Sequence, residues 1–277
     1  MNNTIEILEI PVLRLALGTW GLSGDWKDKE INENLIKRII NKSIQCGINL
    51  VDTAQVYGQG RMESIIGSMN LPKNIVISTK IPAREKPDNN NLKKYDYYYD
   101  RDYIFSRTKE SLKRLGRIDI LQLHNWHSSW NDNAPYFIRP LIELKNSGLI
   151  KAVGVSLPDK YDSTIIPLIK AGVDIIQVPY NSVQNWAERN VFIESRNNKI
   201  PILVRSMFGQ GALLKNKEDL NKLKTEDIRK KYLSSDNLVE KAEDIIHRNK
   251  LLISNGILLI GMRKIEQIEE NIKSFLK

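Results

Sequence analysis

Four side chains able to move a proton are spaced along the first half of the chain: Asp52, Tyr57, Lys80 and His124. Taken alone, three of them have ordinary structural readings: Asp52 as a cap on the turn in DTAQVYG, Lys80 as a solvated strand end, His124 as a satisfied core histidine. Yet the same three residues terminate successive apolar runs, NLVD, NIVISTK and DILQLH, and Tyr57 lies on the loop that follows Asp52. A phenol ionises near a pKa of about 10, and an ammonium beside it in a water-poor pocket favours the phenolate. With Asp52 holding Lys80 charged and in place, the four make a coherent proton-transfer site. Polar residues also mark later runs: Ser156 closes KAVGVS, Gln177 lies within DIIQVP, and Arg205 and Ser206 close IPILVRS. Each would cost free energy if buried unpaired, so their occurrence together at strand ends implies that they partner one another or a ligand.

Such a set needs a fold that brings many strand ends to one rim. Eight short runs rich in β-branched residues supply it: LALGT from Leu15, NLVD from Asn49, NIVISTK from Asn74, DILQLH from Asp119, KAVGVS from Lys151, DIIQVP from Asp174, IPILVRS from Ile200 and GILLIG from Gly256. Runs of this length without strict alternation suit strands covered on both faces. Helical periodicity fills the intervals. In RDYIFSRTKESLKRLG, Ile104, Thr108, Leu112 and Leu115 share a face and Gly116 is the stop signal; in KIEQIEENIKSFLK, Ile265, Ile268, Ile272 and Phe275 form one stripe. Eight strand–helix alternations with no long linker predict one (β/α)8 TIM barrel over residues 1–277, with TIEILEIPVLRLALG as a short N-terminal β-hairpin plugging its floor. The competing fold is an open doubly wound sheet, but GTWGLSG lacks the G-x-G-x-x-G spacing that fold would want. A barrel keeps its chemistry at the C-terminal strand ends, where these polar residues fall. Two connections are long: residues 82–100, whose Tyr95, Tyr97, Tyr98 and Tyr99 offer a partial pocket wall with hydroxyls suited to sugar, and residues 209–234.

The 277 residues are 41% hydrophobic and 27% charged, which is enough to bury a sizeable core and excludes a disordered or fibrous chain. A formal charge of +9 favours anionic partners. The Lys and Arg residues are dispersed among Asp, Glu and Asn, so nucleic acid is not an expected partner. No apolar run approaches the roughly 20 residues of a membrane span. MNNTIEILEI lacks the pattern of a secretory signal, so no membrane association and a cytoplasmic location are expected. A single cysteine, Cys46, and three histidines predict neither an internal disulfide nor a metal site.

DTAQVYG with Glu63 after it, Lys80 closing VISTK and His124 closing DILQLH resemble, in the same order, the catalytic tetrad signature of the aldo-keto reductases. The resemblance runs from LALGTW to EENIKSF and takes in KNSGLIKAVGVS. It implies that Asp52, Tyr57, Lys80 and His124 are catalytic, and that NADP (NADPH) binds without a Rossmann fold. Hydride would pass between nicotinamide and an aldehyde, ketone or sugar-type carbonyl. Tyr57 would give its proton to the carbonyl oxygen, or act as the base in reverse, while His124 orients that oxygen. Ser156 and Gln177 match the positions that hold the carboxamide, although Leu157 stands where an Asn commonly follows the Ser. Arg205, Ser206, Met207, Phe208, Gly209 and Gly211 match the strap beside nicotinamide and pyrophosphate. Gly261, Arg263, Gln267, Glu270 and Asn271 match the adenosine-phosphate site, at a helix start whose free N–H groups suit a phosphate. Arg263, able to fork onto a 2′-phosphate, implies NADPH in preference to NADH. Trp20, Trp126 and His127 flank the tetrad and are candidates for lining the substrate pocket.

Two other function classes compete. A cofactor-sensing regulatory barrel with slow turnover would keep the same residues, whereas a lyase forming a Schiff base on Lys80 would leave DTAQVYG unexplained. The chain stops at Lys277, just after its last helix, where many aldo-keto reductases continue into a loop over the active site. The expectation is therefore a wide, open pocket for a bulky and anionic carbonyl or sugar. Oligomeric state is silent in the sequence.

Overall fold

The computed structural model describes residues 2–24, 31–225, 227–234 and 239–277. Its first element is the expected hairpin, β1 (Thr4–Ile7) antiparallel to β2 (Ile10–Leu13), with Thr4 opposite Leu13 and Ile7 opposite Ile10. The eight apolar runs are β3 (Leu15–Gly18), β4 (Leu50–Asp52), β5 (Val76–Ile81), β6 (Ile120–Leu123), β7 (Ala152–Ser156), β8 (Ile175–Pro179), β9 (Ile202–Arg205) and β10 (Gly256–Ile260). All pair in parallel, and β10 pairs with both β9 and β3, which closes the barrel. Around it lie α1 (Glu33–Gln45), α2 (Arg61–Ser68), α3 (Tyr95–Tyr98), α4 (Arg101–Leu115), α5 (Ala134–Asn146), α6 (Ile166–Lys170), α7 (Val191–Asn197), α8 (Lys217–Asn221), α9 (Ala242–Leu252) and α10 (Ile265–Leu276).

Local signals account for the helix that matters most to the site. Asp100 caps α4 by accepting from the Tyr103 N–H at 2.8 Å, and Gly116 ends it at φ +79°, a conformation that costs a glycine little. Ile104, Thr108 and Leu115 are buried, as their spacing requires, together with Ser111.

Along the barrel axis the interior changes character. Ala16, Leu50, Val76, Ile120, Ala152, Ile175 and Ile257, from the N-terminal ends of the strands, form an apolar floor, and Ile7 and Val12 of the hairpin pack beneath it. Because side chains alternate along a strand, the next inward residues two positions on are Asp52, Ser78, Gln122, Gly154 and Gln177. Gly154 is there for space: a Cβ would lie 2.7 Å from the Gln122 side chain. The floor supplies stability and the polar layer above it carries the candidate chemistry.

The two long connections are not structureless. Residues 82–100 include α3, and the 209–234 connection includes α8 and a 3-10 turn over Ile228–Tyr232, with residue 226 outside the described set. Among the described residues no helix is long and apolar enough to cross a membrane.

Candidate active site

The strand ends open into a cleft of about 1440 Å³ lined by Asp52, Tyr57 and His124. Lys80 lies behind this surface, fully buried. Its ammonium donates to Asp52 Oδ2 at 2.6 Å and to the Thr53 carbonyl at 2.7 Å, and it sits 5.2 Å from the centre of the Tyr57 ring. Asp52 is the hub of the layer. Its other oxygen accepts from Ser78 Oγ (3.0 Å), Gln177 Nε2 (3.0 Å) and Gln122 Nε2 (3.3 Å). A carboxylate so furnished keeps a counter-charge for the buried ammonium without rotating away. A Schiff-base role for Lys80 has no support here, since the amine is sealed from the cleft and ion-paired.

Tyr57 and His124 meet edge to face, with ring centres 6.4 Å apart. Burial, then the Lys80 ammonium and the Arg205 guanidinium, hold the His124 imidazole well below the usual histidine range, so at neutral pH it is uncharged. Its Nδ1 is buried with no partner among the described residues, which leaves Nε2 as the nitrogen able to meet a ligand. The backbone behind the ring is held: the Tyr99 hydroxyl lies 2.8 Å from the His124 carbonyl oxygen and 3.1 Å from that of Ile81.

The other anticipated residues divide between the cleft surface and its backing. Gln177, Arg205, Ser206, Met207, Phe208 and Gly211 line the cleft on the side of β8 and β9, and Gly261, Arg263, Gln267, Glu270 and Asn271 line it after β10 and along α10. Ser156 is fully buried beside Gln177, with 3.4 Å between its Oγ and Gln177 Oε1. Gln177 Nε2 donates to Asp52 and Oε1 accepts from Ser156 Oγ, so the second lone pair of Oε1 is what remains for a ligand amide. Arg205 binds Asp159 Oδ1 (3.1 Å) and the Leu157 carbonyl (3.0 Å), while its buried Nε has no partner among the described residues. Burial raises the Asp159 carboxyl, but Arg205 and Lys231 outweigh it and hold the group below the usual range. Gly209 faces away from the cleft; a Cβ there would lie 2.9 Å from the Tyr232 ring, and its φ of +55° is strained for other residues. Gln267 folds its side chain back to accept from the Arg263 and Lys264 N–H groups, at 2.9 and 3.1 Å, so it caps α10.

Trp20 and His127 line the cleft. His127 Nε2 lies 2.7 Å from Asn89 Oδ1, so it spans to the 82–100 connection. Trp126 edges the cleft but is fully buried, its indole N–H 2.9 Å from Asn131 Oδ1 and its ring against Trp130 and Phe137.

The tyrosine wall is corrected. None of Tyr95, Tyr97, Tyr98 and Tyr99 lines the cleft; Tyr98 and Tyr99 are buried against Trp130, Tyr97 faces solvent, and Lys86, Pro87 and Asn89 supply the wall from that connection. At the end of the one-turn helix α3, Tyr98 and Tyr99 turn inward, and Tyr99 reaches the His124 carbonyl.

Arg229 was not anticipated. Its guanidinium is buried, bound to Asp227 at 2.8 and 2.6 Å, and lines the cleft with Arg263; burial first and then its charge lower the Arg263 pKa. The lining carries Lys86, Lys160, Arg189, Arg205, Lys215, Arg229 and Arg263 against Asp52, Asp159, Asp162 and Glu270. The cationic excess of this lining suits an anionic ligand, with amide and guanidinium groups available as hydrogen-bond partners.

The chain matches the family model described as Aldo/keto reductase family over residues 14–277. It is 30% identical over 221 residues to the NADH-specific methylglyoxal reductase of Escherichia coli (strain K12), a match covering 74% of this chain and 66% of that protein. The solved structure of a glycerol dehydrogenase from Gluconobacter oxydans is similar with a TM-score of 0.74 and 25% identity, covering 99% of this chain and 90% of that one. An aldo-keto reductase from Klebsiella pneumoniae in complex with NADPH shares the fold with a TM-score of 0.69 at 17% identity, covering 100% of this chain and 90% of the other.

Proposed function

The chain belongs to the aldo/keto reductase family, and from that membership together with the geometry of its cleft we propose that it is an NADP-dependent oxidoreductase acting on an aldehyde, ketone or sugar-type carbonyl. The observation that carries the reading is the Lys80 ammonium, locked by Asp52 at 2.6 Å and standing 5.2 Å from the Tyr57 ring at the edge of an anion-friendly cleft.

When bound in the cleft, a reduced nicotinamide dinucleotide would supply the hydride. Tyr57 protonates the carbonyl oxygen in reduction, and the Lys80 ammonium stabilises the phenolate that remains. In the reverse direction the same phenolate takes the hydroxyl proton. Uncharged His124 donates from Nε2 to the carbonyl oxygen and sets its orientation. Gln177 and Ser156 would hold the carboxamide, and Arg205 and Ser206 would bind the pyrophosphate. Arg263, with Arg229 nearby, would take the 2′-phosphate that distinguishes NADPH from NADH. The relative from Escherichia coli is NADH-specific by name, while the Klebsiella pneumoniae neighbour is in complex with NADPH. Both cofactors thus occur among proteins similar to this chain, and the reading for NADPH rests on these two guanidinium groups. Lys86, Lys160 and Arg189 around the mouth favour an anionic substrate such as a phosphorylated sugar.

The deciding experiment is Tyr57→Phe. Loss of at least about 10²-fold in kcat for NADPH-dependent carbonyl reduction, with NADPH affinity retained, is the expected result. A variant with full kcat would remove the tetrad reading.

A further inference from the structure

Outside the barrel wall, between α2, α4 and the loop bearing Tyr57, lies a buried polar cluster that the mechanism above does not use. Gln55, three residues after Asp52 and two before Tyr57, is only 3% exposed. Its backbone N–H donates to the Lys80 carbonyl at 3.2 Å. Its side-chain amide nitrogen donates to Ser111 Oγ (2.6 Å) and the Arg107 carbonyl (2.5 Å), and its oxygen accepts from Arg107 Nε at 2.8 Å. Ser111 Oγ in turn donates to Glu63 Oε1 at 2.7 Å. Glu63, with no exposed surface, also accepts from Thr79 Oγ1 at 2.6 Å and from Arg114 Nε at 2.7 Å. Thr79 is the residue before Lys80, and Glu63 lies in the first turn of the helix that follows the Tyr57 loop.

The Tyr57 loop is thus tied on both sides to one residue of α4: upstream through Gln55, downstream through Glu63, both meeting at Ser111. Apolar packing would fill this space at no desolvation cost, but it would not fix direction. A satisfied buried network specifies one arrangement of its members. Resting on the proposed function, we infer that Gln55 and Glu63, joined through Ser111, are positioning residues that hold the Tyr57 ring in register with the Lys80 ammonium. Neither touches the cleft, so they act only through the loop and strand that they tie. A misplacement of about 1 Å costs a catalytic group on the order of 10²-fold. Such a clamp matters because Tyr57 sits on a loop while its partners Lys80 and Asp52 sit on strands.

The test is steady-state NADPH oxidation with methylglyoxal, glyceraldehyde and glucose 6-phosphate, run on the parent, Gln55→Leu, Ser111→Ala, the double variant and Tyr57→Phe. Gln55→Leu keeps most of the volume, and Arg107 and Ser111 retain partners in Glu110 and Glu63. The expected result is a fall in kcat of about 10- to 100-fold for Gln55→Leu, with KM and NADPH affinity within about twofold and a shifted basic limb in the kcat–pH profile. The double variant should lose little more than Gln55→Leu alone, because both break one tie. Full kcat and an unmoved profile in Gln55→Leu, beside an inactive Tyr57→Phe, would overturn the positioning role while leaving the tetrad standing. Full kcat in Tyr57→Phe would instead overturn the tetrad. Should Gln55→Leu not fold, Ser111→Ala carries the same criterion.

Discussion

Neutralising one member of the Asp52–Lys80 pair should damage stability and activity together, and neutralising both should restore only stability. At 2.6 Å and an effective dielectric of about 20, the attraction is on the order of 6 kcal/mol before desolvation is charged against it. Among the described residues the acceptors of Lys80 are Asp52 and the Thr53 carbonyl, and it has no exposed surface, so Asp52→Asn leaves a buried ammonium with no counter-charge. Breaking a buried pair in this way costs about 3–5 kcal/mol, or roughly 6–20 °C in Tm for a chain of this size. Lys80→Met leaves the Asp52 carboxylate three neutral donors, Ser78, Gln122 and Gln177, and should cost less than Asp52→Asn. In Asp52→Asn/Lys80→Met both charges are gone, and the loss should shrink below about 2 kcal/mol, a coupling near the upper end of measured pairs. Urea unfolding of the four proteins gives the cycle, and NADPH oxidation gives kcat for each. All three variants should have kcat down at least about 10²-fold, since Lys80→Met removes the ammonium beside Tyr57 and Asp52→Asn removes the carboxylate that holds it in place. Stability losses that add within about 0.5 kcal/mol would show that the pair is not the coupled buried unit described.

Arg263→Ala and Arg229→Ala should each raise the NADPH dissociation constant about tenfold or more and leave NADH nearly unchanged; fluorescence titration with both nucleotides reads this, and equal losses for both would reassign the two residues away from the 2′-phosphate. For His124 the folded-state imidazole titrates well below its unfolded range. The unfolded chain therefore binds a proton near pH 6.5 that the folded protein does not, so this stability is present above about pH 6.5 and lost as pH falls through and below it. Urea midpoints from pH 8 to 5 should show a steeper decline for the parent than for His124→Gln, and parallel curves would refute the assignment. Gln177→Leu removes a donor from Asp52 and the candidate carboxamide acceptor, so it should weaken NADPH binding and lower Tm at once; a change in only one would separate the two roles.

Much of the barrel is legible because its strands obey two simple constraints. Cover on both faces demands largely apolar runs, and the one-sided opening concentrates polarity toward their C-terminal halves. NLVD, VISTK and DILQLH display that rule directly, and all eight runs became strands. What a one-dimensional pattern does not carry is direction inside a connection. YDYYYD reads as hydroxyl-rich surface, yet the α3 turn points Tyr98 and Tyr99 into the core, where Tyr99 supports the His124 backbone. Arg229 sits within a stretch of alternating Lys, Asp and Glu that has the composition of a solvated face. Only the path of the chain after β9 folds it over the cleft.

The polar layer shows why the site is partly legible as a set although each residue is ambiguous alone. Gln122 sits mid-strand in DILQLH, where a buried amide needs partners, and the sequence offers no neighbour in the same run to satisfy it. Its partners, Asp52 and Ser78, come from two other strands, and Gln177 joins from a third. A polar residue inside an apolar run is therefore a statement about the rest of the barrel: either it is a defect, or the opposite strands answer it. Here Asp52 answers three such residues and the Lys80 ammonium besides. The carboxylate that holds the candidate proton-transfer pair is thus also bonded to the amide expected to read the cofactor, so substitutions at Gln177 should be felt at Tyr57 through Asp52 and Lys80.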